Sequence, residues 1–141
     1  MERTYVYDHA TKESLEIRND VFVKEQGFLK DEDHLDNTAK HIVLFLKDVA
    51  LATCRLFSDE EEGAYRIGRV AVRKECRRMG YGRKLLSEAE KVIKDLGGEV
   101  AKLSAQVQAQ GFYEQCGYRT CGEVFVDEGC PHILMRKTLE D

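Results

Sequence analysis

The sequence has little of what usually joins separate domains. Pro131 is its only proline, and no stretch is rich in Pro, Gly or Ser. There is no internal repeat and no low-complexity tract. Its 141 residues fall within the normal size of one domain with one hydrophobic core. We therefore predict a single domain over residues 1–141.

The chain also lacks long apolar runs. None approaches the roughly 20 residues that cross a bilayer, and Met1 is followed by charged residues without the apolar region of a secretory signal. With 43% hydrophobic and 34% charged residues, the composition is typical of a globular protein. The net charge of -4 disfavours a general nucleic-acid binder, which carries a basic surplus. We expect a cytoplasmic protein with no nucleic-acid or membrane partner.

Metal and disulfide patterns are missing as well. The five cysteines are an odd number and include no Cys-x-x-Cys pair, which argues against a disulfide framework and a zinc ribbon. The four histidines show no zincin-type spacing. His34 lies beside Asp33 and Asp36, and we interpret this group as a solvated acidic loop rather than a metal cluster. The sequence predicts no metal site.

Hydrophobic periodicity predicts two main helices. The first covers residues 11–26, with Thr11 as a candidate N-cap and Gly27 as its stop. Its apolar face would consist of Leu15, Val21 and Phe22. The second covers residues 82–96 and ends at two glycines, 97 and 98. Its apolar stripe would comprise Leu85, Leu86, Ala89, Val92, Ile93 and Leu96.

Strand-like runs surround these helices. They cover residues 4–8, 41–46, 50–57, 65–72, 100–105, 118–126 and 132–137, and a short helix is expected over about residues 109–116. The charged residues 59–63 predict a solvated turn at the tip of a hairpin. Three consecutive strands precede the main helix. This order predicts an α+β (α/β) fold with a mixed, mostly antiparallel sheet flanked by helices.

A glycine-bearing basic turn, residues 77–82, joins the strand at residues 65–72 to the main helix. Helix N-terminal amides lack internal partners and the helix dipole adds positive charge, so such a turn favours an anion. Gly80 and Gly82 let a phosphate come close to the backbone. Basic residues crowd the turn in an otherwise acidic chain: Arg73, Lys74, Arg77, Arg78, Arg83 and Lys84. This favours a pyrophosphate ligand, the alternative being a basic turn that only caps a surface helix.

Two common nucleotide motifs do not fit this turn. A Walker loop needs Gly-Lys followed by Ser or Thr, but Gly82 is followed by Arg83, Lys84 and Leu85. A dinucleotide fingerprint needs a third glycine where Leu85 stands.

The run from Val70 to Gly82 resembles the signature of the GNAT family of N-acetyltransferases. That signature is Arg or Gln, two residues, Gly, one residue, then Gly or Ala, just after a strand. The run from Phe112 to Tyr118 resembles the family's second hallmark, an aromatic-Tyr-x-x-x-Gly-aromatic pattern. Element order agrees along nearly the whole chain, and residues 18–26 together with Pro131 and His132 are similar to one bacterial branch.

The resemblance implies acetyl-coenzyme A as the acyl donor. The turn would hold its pyrophosphate through Arg77, Arg78, Met79, Gly80, Tyr81, Gly82 and Arg83. Its pantetheine arm would pair with the strand Val70, Ala71 and Val72 and contact Gln106, where the family often has Asn. An amide near Val72 would stabilise the oxyanion, an effect worth roughly 3 kcal/mol. In the family, the strands before and after the main helix splay apart to admit the thioester.

Two residues are expected to move protons. Tyr113 matches the family tyrosine that protonates the departing thiolate; the alternative is a core tyrosine, a role we expect for Phe112 and Tyr118. The amine must lose a proton before it attacks, and imidazole, with a reference pKa of about 6.5, suits that task. His132 is therefore our first candidate base, its alternative being a structural histidine. Glu75 and Glu25 are weaker candidates.

The acceptor side of the family's site lies where this chain carries Glu25 and Asp33, which suggests a cationic amine. We expect direct transfer to a primary amine of a small molecule in a ternary complex, with Cys116 as a buried thiol rather than a carrier of acetyl. Two alternatives stay open, a coenzyme A-binding sensor without catalysis and a protein-lysine acetyltransferase. The sequence also leaves open whether the chain forms a homodimer.

Overall fold

The computed structural model describes residues 2–140, so Met1 and Asp141, the ends of the predicted domain, lie outside the described residues. No helix in this range has both the length and the apolar character of a bilayer span. The elements in chain order are β1 (Glu2–Tyr7), α1 (Lys12–Arg18), β2 (Lys40–Leu46), β3 (Val49–Ser58), β4 (Ala64–Val72), α2 (Tyr81–Asp95), β5 (Val100–Gln106), α3 (Gln110–Gln115), β6 (Arg119–Thr120), β7 (Phe125–Asp127) and β8 (Cys130–Thr138).

The eight strands form one mixed sheet. Its order is β1-β2-β3-β4-β5-β8-β6, and β7 also pairs with β8. β4 and β5, which precede and follow α2, pair in parallel, whereas β1–β2, β2–β3, β5–β8, β6–β8 and β7–β8 are antiparallel. The predicted fold class, including the local parallel pair, is confirmed.

The chain divides into two compact units. The first comprises the residues up to Phe57 together with Ile67–Ala89, and the second comprises Ser58–Arg66 with the residues from Glu90 onward. One domain over residues 1–141 stays a prediction.

The first predicted helix is two different helices in the structure. Thr11 Oγ1 accepts a hydrogen bond from the Ser14 amide at 3.1 Å, which confirms the N-cap. α1 ends at Arg18, and a π-helix follows at Asn19–Glu25. Gly27 then adopts a φ of 81°, which a glycine tolerates at a helix end.

The change of helix type also changes which residues face the core. Ile17, Val21 and Phe22 are buried in one cluster with Val43, Ala50 and Ala71. Leu15 is only half-buried, so the prediction that it faces the core is wrong. A π turn holds more residues than an α turn, so a stripe projected with one constant period shifts along the helix.

The main helix ends one residue earlier than predicted. Gly97 adopts a φ of 86°, its amide donates to Lys94 O at 2.9 Å, and the Gly98 amide donates to Ile93 O at 2.9 Å. These paired bonds form a Schellman motif. Leu96 is 41% exposed, so its predicted place in the apolar stripe is wrong. The fully buried stripe consists of Leu85, Leu86, Ala89 and Ile93.

In the second unit, the strand predicted over residues 118–126 is broken. β6 and β7 are separate, and Gly122 between them has a φ of 153°. The short helix begins as a 3-10 turn at Val107–Ala109 before α3, and Gly117 follows with a φ of 96°. The unit's buried residues include Leu103, Tyr118 and Met135.

The charged turn after β3 is solvated at Glu60, Glu61 and Glu62, as predicted, but Asp59 at its base is held by ion pairs. Asp59 accepts hydrogen bonds from Arg66 at 3.2 Å and from Lys102 at 3.0 Å, and its side chain is 10% exposed. Burial would raise the pKa of Asp59, but its hydrogen bond with Lys102 and the neighbouring positive charges hold it below its ordinary value. The turn is therefore anchored to β4 and β5 by ion pairs.

Candidate active site

The turn between β4 and α2 is shaped by its backbone. A 3-10 turn at Lys74–Cys76 follows the strand, and the Arg73 amide donates to Leu51 O at 2.9 Å. Arg78 then adopts a φ of 65° and Gly80 a φ of 84°. A side chain at Gly80 would meet no atom within 4 Å, so the space beside it is open.

The helix begins as an anion site would require. The Lys84 amide donates to Gly80 O at 3.1 Å, which is the first bond of the helix. The amides of Tyr81, Gly82 and Arg83 precede that bond and so have no acceptor inside the helix. The first turn carries no acidic residue. A diphosphate fits this end of the helix because both the amides and the dipole favour negative charge.

Arg77, the first residue of the predicted motif, is already occupied. Its Nη1 and Nη2 donate to Glu25 at 2.5 and 2.7 Å, and its Nε donates to Val72 O at 3.1 Å. The hydrogen bond from Arg77 holds the pKa of Glu25 below its ordinary value. The structure thus brings together a residue predicted for coenzyme A and one predicted for the acceptor. The Arg77 side chain fixes the position of the turn.

Other cations of the turn have different roles. Arg73 pairs with Asp20 at 2.6 Å. Within residues 2–140, the side chains of Arg78, Arg83 and Lys84 form no ion pair, which leaves their charge for an anionic ligand.

A surface cavity of ≈ 340 Å³ lies between the π-helix and the start of this turn. Both weaker candidate bases, Glu25 and Glu75, contribute to its wall. Its lining residues are Asp20, Val21, Lys24, Glu25, Arg73, Lys74 and Glu75.

The segment predicted to pair with pantetheine is the end of β4. Ala71 is 2% exposed and packs in the core of the first unit, while Val70 and Val72 are half-buried. The Arg73 amide donates to Leu51 O and is therefore not available to a ligand. The Arg77 bond to Val72 O links this segment to the turn.

The acidic loop is not solvated either. It forms a network, which we name the arginine–aspartate cluster, that consists of Arg18, Arg55, Arg69, Asp31, Asp33 and Asp36. Asp33 Oδ1 accepts from Arg55 at 2.6 Å, and Oδ2 accepts from Arg55 at 2.9 Å and from Arg69 at 3.2 Å. The interpretation of Asp33 and Asp36 as a solvated loop is therefore wrong. Because its two oxygens bind guanidinium groups, Asp33 offers no uncompensated charge to a cationic amine.

His34, by contrast, is exposed beside this cluster. Within residues 2–140, no three His, Cys, Asp or Glu side chains come together as metal ligands would.

Tyr113 lies on α3 in the second unit. It is 9% exposed, and its ring lies 5.1 Å from Phe112 and 6.2 Å from Tyr118 between centroids. Tyr118 is 1% exposed, as expected of a core residue. Phe112 is 38% exposed, so its predicted core position is wrong.

His132 and Gln106 are cross-strand partners in the second unit. They face each other in the register of β5 with β8. The His132 Nδ1 lies 2.7 Å from Cys130 O, and its ring stacks on Phe125 at 5.9 Å. A carbonyl oxygen only accepts, so Nδ1 carries the proton and Nε2 keeps its lone pair in the neutral ring. The tautomer is the one that a base acting through Nε2 requires.

Cys116 is half-buried at the end of α3, rather than fully buried as predicted. Cys54 on β3 is the inert thiol of the chain, because burial raises its pKa to about 12.

Comparison with known proteins shows the family of the chain. Residues 6–139 match the family described as acetyltransferase (GNAT) domain. The chain belongs to the GNAT acetyltransferase family. GNAT proteins use an acyl-coenzyme A donor, which carries the diphosphate that the start of α2 fits.

GNAT relatives in bacteria extend over most of the chain. The Bacillus subtilis (strain 168) protein BSU40680 is 37% identical over 129 residues, 88% of this chain and 86% of that protein. The uncharacterized N-acetyltransferase YjcF of the same organism is 36% identical over 131 residues, 89% of this chain and 91% of its own. The crystal structure of an acyl-CoA N-acyltransferase from Pseudomonas aeruginosa has a TM-score of 0.84 at 30% identity and covers 98% of this chain and 100% of its own.

The buried ion pairs made by the arginines of the cluster were not predicted from the sequence of this GNAT protein. Arg18 lies next to Ile17 on the buried face of α1, and Arg55 interrupts the buried run of β3. A charged residue inside an apolar pattern needs a buried partner, and that was the available signal. Arg69 had no such signal, because its φ of 50° inside a strand appears only in the structure.

Proposed function

We propose that this GNAT protein transfers an acetyl group from acetyl-coenzyme A to a primary amine of a small molecule, by direct attack in a ternary complex. The observation that carries the proposal is the start of α2. There an open glycine turn precedes helix amides without internal acceptors, and the cationic side chains Arg78, Arg83 and Lys84 form no ion pair with any residue from 2 to 140. Arg78, Met79, Gly80, Tyr81, Gly82 and Arg83 bind the pyrophosphate in this proposal.

Arg77 has a positioning role in the same proposal. Its ion pair with Glu25 and its bond to Val72 O hold the turn against the end of β4. The residues Val70, Ala71 and Val72 present backbone groups to the pantetheine arm, and an amide of this segment donates to the thioester oxygen. Gln106 gives a second polar contact to that arm. Glu25 stays in the proposal as part of the cavity wall, because its carboxylate binds Arg77.

The proton balance assigns the remaining roles. The amine nitrogen forms a bond to the acetyl carbon, the carbon–sulfur bond breaks, and the nitrogen loses one proton while the thiolate gains one. His132 Nε2 accepts the proton from the amine, directly or through water, and Tyr113 gives its phenolic proton to the thiolate. In the neutral ring, the bond from His132 Nδ1 to Cys130 O places the proton on Nδ1, so that Nε2 is the accepting nitrogen.

A screen of amines with acetyl-coenzyme A, read out as free thiol, tests this function. Acetylation of free small amines is the expected result. Acetylation of peptide lysines with no small amine as substrate would favour the protein-lysine alternative. Tight binding of acetyl-coenzyme A without any thiol release would favour the sensor.

Gly82→Val is expected to weaken acetyl-coenzyme A binding about tenfold to a hundredfold. A branched side chain would crowd the first-turn amides and remove one or two charge-assisted hydrogen bonds. Isothermal titration calorimetry measures the effect. Ser87→Val places the same side chain at an exposed position of α2 and controls for helix propensity. Equal Kd values for Gly82→Val and the wild type would contradict the assignment of the turn.

His132→Gln is expected to slow acetylation about a hundredfold at neutral pH and below. The loss should shrink at high pH, where more of the amine is already deprotonated and the base is less needed. The pH profile of kcat/KM from pH 6 to 10 measures this. His34→Gln makes the same change at an exposed position. A variant profile parallel to that of the wild type would remove His132 as the base.

A further inference from the structure

The arginine–aspartate cluster distributes its charges unevenly. It contains three arginines and three aspartates. Arg18 binds two carboxylates, those of Asp31 and Asp36. Arg55 also binds two, those of Asp33 and Asp36.

Arg69 receives the least compensation. Within residues 2–140, its only carboxylate contact is the 3.2 Å bond to Asp33 Oδ2, an oxygen that Arg55 Nη2 approaches more closely, at 2.9 Å. Its Nε donates to the backbone oxygen of Asp31 at 2.8 Å. Burial and the nearby Arg55 charge together hold the pKa of Arg69 below its ordinary value. The environment of this guanidinium therefore favours a further negative charge.

Arg69 also presents unused donors. Its side chain is 33% exposed, and its Nη1 forms no hydrogen bond within residues 2–140 and is not buried. A φ of 50° is costly for a non-glycine residue. The bonds to Asp31 and Asp33 hold this conformation and set the direction of the side chain. Strain of this kind is concentrated at binding sites.

A second donor nearby lacks a partner among the residues that the structure describes. Arg55 Nε is buried and makes no hydrogen bond to any of them, and the whole Arg55 side chain is only 4% exposed. A side chain built on Gly68 would meet one atom within 4 Å, this Arg55 Nε at 3.8 Å. Gly68, the chain neighbour of Arg69, thus places no side chain against this unsatisfied cationic donor.

We propose that the acceptor amine carries a carboxylate group, which the Arg69 guanidinium binds in the space beside Gly68. The inference rests on the proposed acetyl transfer and narrows its acceptors to amino acids and similar amino carboxylates. Gly68 and Arg69 directly precede Val70 to Val72, the segment proposed to bind the thioester. An acceptor held there by its carboxylate has its amine next to that segment. A planar guanidinium suits a carboxylate because two parallel hydrogen bonds form at once.

Matched probe pairs test the inference: free amino acids against their carboxamides, such as glycine against glycinamide. The wild type is expected to favour the acid about tenfold to a hundredfold in kcat/KM. This ratio corresponds to the free energy of one charge-assisted hydrogen bond. Arg69→Gln should abolish the preference by raising KM for the acid. Arg136→Gln, which removes an arginine of 39% exposure with a 3.3 Å ion pair, should keep it.

Gly68→Val is the second variant, for the case in which Arg69→Gln unfolds. It fills the space and leaves every ion pair of the cluster in place, so the preference should again be lost. Acetylation of acids and carboxamides at equal kcat/KM would overturn the carboxylate site while leaving the transferase function intact.

If no amine is acetylated, the proposed function fails, and the carboxylate site is judged by binding alone. Calorimetry with coenzyme A present would then compare an N-acetyl amino acid with its amide. Tighter binding of the acid that depends on Arg69 would support the site, and equal binding would overturn it.

Discussion

Tyr113→Phe is expected to lower kcat by about a hundredfold to ten-thousandfold and to leave the Kd for acetyl-coenzyme A unchanged. The phenol is the group proposed to give its proton to the departing thiolate, and phenylalanine has no proton to give. The ring is 9% exposed and packs between Phe112 and Tyr118, contacts that phenylalanine keeps. Steady-state kinetics measures kcat and calorimetry measures Kd.

Tyr118→Phe makes the same chemical change five residues further along the chain, beyond the end of α3. The Tyr118 hydroxyl donates to Glu90 Oε2 at 2.9 Å, and Glu90 Oε1 also accepts from Lys137 at 2.9 Å. Loss of the hydroxyl should lower the free energy of unfolding by about 1 kcal/mol and leave kcat unchanged. Equal losses of kcat in both variants would mean that the loss is a general effect of removing a hydroxyl from this region, rather than the loss of the Tyr113 proton.

The same pair of variants separates the enzyme from a coenzyme A sensor. A sensor has no turnover for Tyr113→Phe to reduce, and its affinity for acetyl-coenzyme A would be the only measurable property. A catalytic GNAT protein loses turnover and retains affinity. Wild-type kcat in Tyr113→Phe would assign the tyrosine to the core instead.

The features predicted correctly from the sequence are those with local causes. The Thr11 cap depends on a bond across three residues, and the ends of the helices depend on glycines with positive φ at 27, 97 and 117. The turn before α2 is likewise a contiguous motif. Each of these features is determined by one short stretch of chain, where residue type alone restricts the backbone conformation.

The errors come from contacts between distant residues. Arg55 lies 22 residues from Asp33, and Arg69 lies 36 residues from it. Nothing near Asp33 in the sequence distinguishes a buried ion pair from a solvated loop. The ion pair between Arg77 and Glu25, which are 52 residues apart, was not predicted for the same reason. Which charged side chains form ion pairs depends on the tertiary fold. The sequence shows where the cationic and anionic residues are, but not which of them pair.

Asp36→Asn is expected to lower the free energy of unfolding by about 3–5 kcal/mol at pH 7. The carboxylate accepts hydrogen bonds from Arg18 at 2.9 and 3.0 Å and from Arg55 at 2.9 Å. Those two arginines are 1% and 3% exposed, so water does not compensate them when the charge is removed. Urea denaturation followed by circular dichroism measures the change.

The pH dependence of stability gives an independent test in the wild type. Burial would raise the pKa of Asp36, but hydrogen bonds from Arg18 and Arg55 outweigh it and hold the pKa far below its ordinary value. In the unfolded chain an aspartate titrates near a pKa of about 3.9. The stabilisation is therefore complete above about pH 5 and is lost as the pH falls through the unfolded and then the folded pKa. Asp36→Asn should show a shallower decline between about pH 5 and 2.

Asp59→Asn is the matched control, because the Asp59 side chain is also 10% exposed. Its partner Arg66 is 32% exposed and so is stabilised by water after the charge is lost, and Lys102 keeps a second ion pair with Glu61 at 2.7 Å. The expected loss is at most about 1 kcal/mol. If the two variants lost equal stability, burial of the guanidinium groups would not be the cause. If Asp36→Asn kept the steep acid dependence of the wild type, that dependence would have to come from other carboxylates.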